Sequence, residues 1–174
     1  MRASVPPSVV DTNVPLTANK KDAPSPACVL ACVHALQAVM TTGHLVLDEH
    51  WLIINEYKNK LSPTGQPGIG DRFLKWVLTN RANTKHVSMV RLTPRKEDPR
   101  DFDEFPRDEA LSSFDPMDRK FVAVSCAHPL RPVILQATDS KWWGLRKALH
   151  TSGVQVQFLC PKDIEEIHER KGGQ

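Results

Sequence analysis

The sequence predicts an α/β fold in three layers, with helices on both faces of a central parallel sheet. Short apolar segments alternate with helical segments along the chain, and strands joined through helices pair in parallel with right-handed crossovers. The 174 residues, 40% of them hydrophobic, suit one domain with a substantial core. No apolar run approaches the roughly 20 residues that a membrane-spanning helix needs. We therefore expect a single globular domain over residues 1–174 and no membrane partner.

Five short apolar segments are predicted to be the strands of this sheet. Valine, isoleucine and leucine dominate them, which favours buried strands. Two of these strands, the first and the fourth, run directly into a polar cluster that contains an aspartate. The predicted strands cover residues 8–10, 45–47, 87–92, 133–135 and 154–158.

The helices are predicted from their first residues and from apolar stripes at helical spacing. Ser25-Pro26 supplies an N-cap followed by proline at the first helical position, and Asp115-Pro116 repeats this pattern. Asp48 can cap the helix that follows the second strand. The run at 119–127 is apolar on nearly all sides, and a buried strand at 121–124 is the alternative there. The predicted helices cover residues 27–40, 49–61, 69–80, 119–127, 141–150 and a last segment from Pro161.

Three segments are predicted to lack regular structure. Residues 15–27 are rich in Pro, Lys and Asn, which is typical of a loop. Residues 93–114 form an acidic, proline-punctuated insertion that can serve as a lid, an interface or a decoy polyanion. The C-terminal residues 171–174 are expected to fray.

Charge is distributed unevenly along the chain. The net charge is only +3, yet residues 97–118 hold nine acidic and two basic residues and carry −7, which leaves +10 on the remainder. A basic body suits a polyanionic partner such as a nucleic acid. Three cations near the predicted acidic residues are candidates to hold phosphates: Arg119, Lys120 and Lys141.

The cysteines and the N-terminus predict the compartment. Cys28 and Cys32 lie four residues apart, a spacing unlike the two-residue spacer of zinc knuckles. With Cys126 and Cys160 they are expected to be reduced, buried thiols. The start MRASVPPSVVDTN has no continuous apolar stretch of about 7–15 residues, so a secretory signal is not expected. Together these observations predict a cytoplasmic protein.

Four acidic residues are predicted to meet at one edge of the sheet. Asp11 and Asp139 follow the first and fourth strands, and the carboxyl ends of parallel strands lie on the same edge. Asp118 stands at a helix N-terminus, and Glu56 borders the buried face of its helix. Carboxylates so close together repel one another unless a cation neutralises them. Mg²⁺ or Mn²⁺, which prefer oxygen ligands, are the expected cofactors.

These residues, in this order, resemble the PIN-domain nucleases. The resemblance rests on Asp-Thr-Asn after the first strand, a mid-chain glutamate, DRKFVAVS in a buried helix, and Thr-Asp-Ser after a later strand. It covers roughly residues 8–160. It implies a PIN-like fold and metal-dependent hydrolysis of single-stranded RNA. The products would carry 5′-phosphate and 3′-hydroxyl ends.

The resemblance also implies roles for individual residues. Asp11, Glu56, Asp118 and Asp139 match the four acidic residues that hold one or two Mg²⁺ or Mn²⁺ ions and act in catalysis. The polar residues that match the family near substrate and ligands are Asn13, Thr138 and Ser140. Such a nuclease can be a toxin or defence effector, restrained by an inhibitory antitoxin-like protein, and can form a homodimer.

Other interpretations stay open at this stage. Each acidic residue also has a structural role available: Asp139 can cap the helix after it, and Glu56 can pair with Lys60. Glu49 is the second candidate for the position of Glu56. One of Trp142-Trp143 is expected in the core, which leaves only the other to stack a base.

Three alternative functions are compatible with the same residues. A related fold can cleave single-stranded or flap DNA, and a catalytically silent PIN-like module can bind nucleic acid without hydrolysing it. A phosphatase-like hydrolase also places an aspartate after the first strand, but such enzymes usually have a second aspartate where this chain has Asn13.

Overall fold

The protein, described by a computed structural model over residues 6–172, is built around one five-stranded sheet. Every neighbouring pair of strands is parallel, and the strand order is β3-β2-β1-β4-β5. The strands are β1 Pro7–Val10, β2 His44–Asp48, β3 Val87–Val90, β4 Val133–Gln136 and β5 Val156–Phe158.

Helices flank this sheet and confirm the predicted α/β/α layering. Helices α1, α2 and α4 pack against one another, and α5 packs against the three central strands. The helices are α1 Asn13–Ala18, α2 Pro26–Thr41, α3 Leu52–Lys60, α4 Ile69–Asn80, α5 Arg119–Ala127, α6 Ser140–Gly144, α7 Arg146–Thr151 and α8 Pro161–Arg170.

The centre of the sheet is the point at which the strand order reverses. Ser8 in β1 pairs with Leu45 in β2 on one side and with Val133 in β4 on the other. The connections that leave β1 and β4 therefore run in opposite directions. In open parallel sheets a crevice forms at such a point, beyond the carboxyl ends of the two strands. The fold thus places any ligand site after Val10 and Gln136.

The prediction of a loop over residues 15–27 is wrong in its first part. Helix α1 covers Asn13–Ala18. Pro15 lies in its first turn, where the missing backbone N–H would have no helical acceptor. The helix begins directly after β1 because the N–H of Val14 donates to the carbonyl of Asp11 at 3.0 Å. Proline content alone does not exclude a short helix at this position.

Helix α3 begins later than predicted, at Leu52 and not at residue 49. Trp51 adopts a left-handed conformation, with φ at 63°, which keeps it outside the helix. The Asp48 carboxylate reaches across this turn and accepts hydrogen bonds from the N–H groups of Leu52 and Ile53, at 2.9 and 3.0 Å. Asp48 therefore provides acceptors for two free N–H groups in the first turn of the helix, as predicted.

Helix α5 spans Arg119–Ala127, which excludes the alternative of a strand at 121–124. Its N-cap is Asp118, not Asp115. The Asp115 carboxylate instead accepts the N–H of Met117 at 3.0 Å and so stabilises the turn before the helix. This shift of three residues leaves the carboxylate of Asp118 free of a side-chain capping bond.

The predicted helix over 141–150 is two helices, α6 and α7, separated at Leu145, whose backbone angles (φ −98°, ψ 8°) are not helical. Strands β3 and β5 are both shorter than predicted. The helix predicted from Pro161 is present as α8. Lys171 and Gly172 follow it in a turn, and residues 173 and 174 of the predicted tail lie outside the described part of the chain.

The acidic insertion at 93–114 is packed onto the domain. An isolated antiparallel bridge joins Pro94 and Phe102, and a short 3-10 helix covers Glu109–Leu111. Its apolar side chains are buried and join the main core: Phe102, Phe105, Leu111 and Phe114. The apolar residues between the acids explain why a strongly charged segment folds here.

The prediction of four reduced thiols is wrong for two cysteines. Cys28 in α2 and Cys160 before α8 form a disulfide across 132 residues of sequence. Cys32 and Cys126 are free, and Cys126 is only partly buried. Spacing along the chain could not show this pairing, because the two sulfurs meet only in the folded protein, where the start of α2 lies beside the start of α8 and the Ser25 hydroxyl donates to Asp163 at 3.1 Å.

Across positions 6–172, no helix combines the length and apolar character that crossing a bilayer requires.

Candidate metal centre at the carboxyl edge of the sheet

Asp11 follows β1 directly and is almost completely buried, with 5% of its surface exposed. Its carboxylate accepts the backbone N–H of Asn13 at 2.9 Å. Burial raises the pKa of Asp11 well above its usual value, and the neighbouring charges of Asp118, Glu56 and Asp139 raise it further. Asp11 is therefore a buried carboxyl in a region of concentrated negative charge.

Asp118 and Asp139 approach this carboxyl from two other elements. Asp118 precedes α5, and its Oδ2 accepts the indole N–H of Trp142 at 3.3 Å. Burial and the charge of Asp139 raise the pKa of Asp118 to about 6. Asp139 caps α6 by accepting the N–H of Lys141 at 3.0 Å. This capping role was the structural alternative for Asp139, and it occupies only Oδ1.

Glu56 reaches the cluster from α3 and already has two partners. Its Oε1 accepts the hydroxyl of Thr12 at 2.5 Å. Its Oε2 forms an ion pair with the ammonium of Lys120, which also donates to the carbonyl of Met117. Glu56 thus pairs with Lys120 from α5 and not with Lys60 on its own helix.

Asn13 fixes the two strand ends relative to each other. Its amide nitrogen donates to the Thr138 hydroxyl at 2.9 Å, and its amide oxygen accepts the N–H of Thr138 at 2.7 Å and that of Ala137 at 3.2 Å. These bonds connect the segment after β1 to the segment after β4. Asn13 and Thr138 therefore fix the positions of the two segments that carry Asp11 and Asp139.

The spacing of the acids limits how they can hold an ion. Among residues 6–172, the sulfurs of Cys28, Cys32 and Cys160 are the only three candidate ligand atoms that all lie within 4.8 Å of one another, and the Cys28–Cys160 disulfide removes two of them as metal ligands. The carboxylates form no such group, so they are near each other without being collapsed around a single point. Mg²⁺ commonly keeps several waters and binds only one or two carboxylates directly. Carboxylates that hold an ion partly through water would suit Mg²⁺ or Mn²⁺.

The predicted phosphate-binding cations lie at different depths. Lys120 is buried and paired with Glu56. Arg119 is largely covered, because it pairs with Asp101 at 3.0 Å and its guanidinium lies over the ring of Phe105. Lys141 is exposed and pairs with Asp115 at 3.3 Å. Of the three, only Lys141 projects into solvent near the cluster.

The other predicted residues differ in their exposure. Ser140 is buried at the start of α6. Glu49 is exposed in the turn before α3. Of the two tryptophans, Trp142 is the buried one, and Trp143 packs on Phe158.

Sequence reasoning missed three residues that shape the cluster. Thr12 donates to Glu56, the indole of Trp142 donates to Asp118, and the hydroxyl of Tyr57 donates to the carbonyl of Val10 at 2.5 Å. The last bond fixes the end of β1 from α3. The position of Thr12 between Asp11 and Asn13 was a usable signal, whereas the roles of Tyr57 and Trp142 depend on contacts between distant segments.

Comparison of the chain with models of known protein families, with curated proteins and with solved structures returned no match. A functional assignment therefore rests on the arrangement of the residues themselves.

Proposed function

We propose that this protein is a PIN-like, divalent-metal-dependent endoribonuclease that hydrolyses single-stranded RNA. The observation that carries the proposal is the convergence of Asp11, Asp118 and Asp139 at the point where the strand order reverses. Three separate elements bring buried or half-buried carboxyl groups together there, at a cost in electrostatic free energy. Binding a cation at an active site accounts for such a cost.

Each residue of the cluster has a part in this mechanism. Asp11 and Asp118 would hold Mg²⁺ or Mn²⁺, and Asp139 has one oxygen, Oδ2, left over from capping α6. The bound ion would supply positive charge to the phosphate oxygens and activate water for in-line attack. Asn13 and Thr138 keep the two strand ends at a fixed separation, so that the carboxylates do not reorganise during the reaction. Hydrolysis in which the 3′ oxygen leaves the phosphorus gives 5′-phosphate and 3′-hydroxyl ends.

Glu56 and Lys120 would adjust the charge of the site. The Lys120 ammonium neutralises Glu56, which leaves the Asp residues to bind the divalent ion. Lys141, exposed and two residues after Asp139, would contact a phosphate of the RNA. The excess of positive charge outside residues 97–118 supports a polyanionic substrate in general.

A cleavage assay with labelled RNA and DNA tests the proposal. With Mn²⁺ we expect cleavage of single-stranded RNA in preference to DNA, and complete loss of cleavage in EDTA. Asp11→Asn should abolish activity without lowering the melting temperature, since removing a buried, uncompensated charge does not destabilise the fold. Glu165→Gln, at an exposed acid of α8, serves as the matched control and should cleave normally. Activity that persists in EDTA would disprove the metal-dependent mechanism, and preferential cutting of DNA would favour the DNA nuclease.

One observation favours a second candidate, a nucleic-acid-binding module without catalysis. Lys120 is a cation built into the acidic cluster, and it already compensates part of its charge. If Lys120 replaces a metal, Mn²⁺ should neither bind nor raise the melting temperature, while RNA should still bind. Isothermal titration of Mn²⁺ therefore separates the two candidates.

We also propose a restraining partner and a cytoplasmic location, as expected of a toxin or defence effector of this kind. The Cys28–Cys160 disulfide is a bond more typical of oxidising compartments. Quenching the cells in acid and alkylating the free thiols of the denatured protein, followed by mass spectrometry, tests the location. Four alkylated cysteines support the cytoplasm, whereas two support an oxidising compartment. Affinity purification of the Asp11→Asn protein from its native cells tests whether an inhibitory protein or a second copy accompanies it.

A further inference from the structure

A cleft of about 480 Å³ opens directly beside the acidic cluster. Glu56, Asp118 and Lys120 belong to both the cluster and the wall of the cleft. Its volume lies within the range of small-molecule sites, roughly 300–1,000 Å³. A chain whose phosphate sits at the cluster would therefore have its neighbouring nucleoside at this cleft.

The acidic insertion builds one wall of the cleft. Pro99, Arg100 and Phe102 line the cleft together with Leu52 of α3 and Met117 of the turn before α5. Met117 is a large apolar side chain with 57% of its surface exposed. The walls thus offer apolar surface of the kind that covers the faces of a flat ring.

Arg100 presents a planar group in a fixed orientation at this opening. Its Nε and Nη2 donate to the two oxygens of Asp98, each at 3.1 Å. This two-point contact orients the guanidinium plane and pairs its charge, while 56% of the side chain stays exposed. Guanidinium planes are common stacking platforms for unpaired RNA bases. A guanidinium already paired in this way suits stacking better than phosphate binding.

Helix α3 supplies groups that can read a base edge. Asn55 and Asn59 lie one turn apart on its exposed side and line the cleft. Within residues 6–172 neither side-chain amide makes a hydrogen bond to another protein group. An asparagine amide offers one acceptor and two donors, which match N6 and N7 of adenine. The cleft therefore combines stacking surface, edge-reading amides and contact with the acidic cluster.

We propose that this cleft binds one nucleobase of the RNA, adenine, next to the phosphate that is cleaved. The assignment rests on the proposed function for the position of that phosphate. In it, Arg100 and Met117 cover the faces of the ring, and Asn55 and Asn59 read its edge. The insertion at 93–114 is then a specificity element that shapes the substrate cleft.

Binding of mononucleotides tests the cleft without any need for cleavage. AMP, GMP, CMP, UMP and ribose 5-phosphate are titrated into the full-length Asp11→Asn protein, and chemical shifts of the side-chain amides are followed by NMR. We expect AMP to bind at least fivefold more tightly than ribose 5-phosphate and to shift the amides of Asn55 and Asn59. Equal binding of all five compounds, or a preference for another base, overturns the assignment.

Variants then connect the binding to the named residues. Asn59→Ala and Arg100→Lys should each reduce the preference for AMP to less than twofold, since the second keeps the charge and removes the plane. Arg91→Ala, an exposed arginine away from the cleft, is the control and should leave the preference intact. All three positions are exposed, so folding is not at risk. A preference for AMP that survives both cleft variants overturns the assignment.

Cleavage of an RNA that contains all four bases separates this inference from the proposed function. If wild-type protein cuts beside adenine and Arg100→Lys spreads the cuts over all bases, both stand. If the protein cuts RNA and the variants leave the pattern of cuts unchanged, the cleft assignment fails and the nuclease stands. If AMP binds selectively and no protein cuts RNA, the nuclease fails and the cleft stands.

Discussion

The side chain of Asn13 makes hydrogen bonds to both the hydroxyl and the backbone N–H of Thr138, at 2.9 and 2.7 Å, and so joins the ends of β1 and β4. The two residues belong to segments that are distant in sequence. The same amide oxygen accepts the N–H of Ala137. One side chain therefore satisfies two backbone donors and one hydroxyl at the mouth of the crevice.

Loss of this bridge should destabilise the protein. Asn13→Ala leaves the N–H of Thr138 without its acceptor, which typically costs about 1–3 kcal/mol, whereas the N–H of Ala137 keeps a second acceptor, Gln136 Oε1, at 2.9 Å. Denaturation in urea should show this as a lower midpoint with an unchanged slope. Asn83→Ala, at an exposed residue whose side chain accepts a single surface N–H, is the matched control and should lose less than about 1 kcal/mol. An Asn13→Ala protein as stable as the wild type would show that water replaces the bridge.

The raised pKa of Asp118 predicts how the metal-free protein responds to pH. Its pKa is about 6 in the folded protein, against an ordinary value of 3.8. Between these values the folded state binds the proton more strongly than the unfolded state, so this contribution to stability falls as pH rises. The stabilisation is complete below about pH 4 and is lost as pH rises through 6.

The comparison of wild type with Asp118→Asn isolates this contribution. In EDTA, the wild type should lose about 2 kcal/mol relative to the variant as pH rises from 4 to 7. Asp103→Asn, at an exposed acid of the insertion, should track the wild type instead. If the free energy of unfolding depends on pH in the same way for wild type and Asp118→Asn, the pKa of Asp118 is not raised.

Lys120 and Glu56 should show strong energetic coupling. Lys120→Met removes the buried ammonium and leaves Glu56 beside the other acids without a cation, a change that typically costs about 3–5 kcal/mol. Glu56→Gln in the same chain should recover part of this loss, because the uncompensated charge is gone. A double-mutant cycle from thermal or urea denaturation measures the coupling, and additive effects of the two substitutions would contradict the pairing.

The disulfide should contribute measurably to stability. Cys28 and Cys160 close a long loop, since they are 132 residues apart, and removing such a crosslink typically costs about 2–5 kcal/mol. Cys160→Ser should therefore lower the melting temperature under oxidising conditions and match the wild type in a thiol reductant. Cys126→Ser, at a free cysteine, is the control. Titration of four reactive thiols in the unfolded, unreduced wild type would show that the bond is absent.

Local sequence patterns were sufficient for the framework of the fold. The apolar runs that became β1, β2 and β4 and the Ser25-Pro26 start of α2 were all predicted, because strand burial and helix capping depend on neighbours in sequence. Helix α1 was missed since its proline content suggested a loop, and the N-cap of α5 was assigned to Asp115 instead of Asp118 because both aspartates suit a cap, although the bounds 119–127 were predicted correctly.

The layered α/β architecture and the aspartates after strands β1 and β4 could be read from the chain alone, since both depend on short-range patterns and on the common direction of parallel strands. The pairing of distant side chains could not be predicted from the sequence. The pairs are Lys120 with Glu56, the Trp142 indole with Asp118, and Cys28 with Cys160. These contacts depend on how whole helices pack against the sheet and against one another. Such packing brings together residues from distant parts of the chain, and its free energy is not encoded in any single window of sequence.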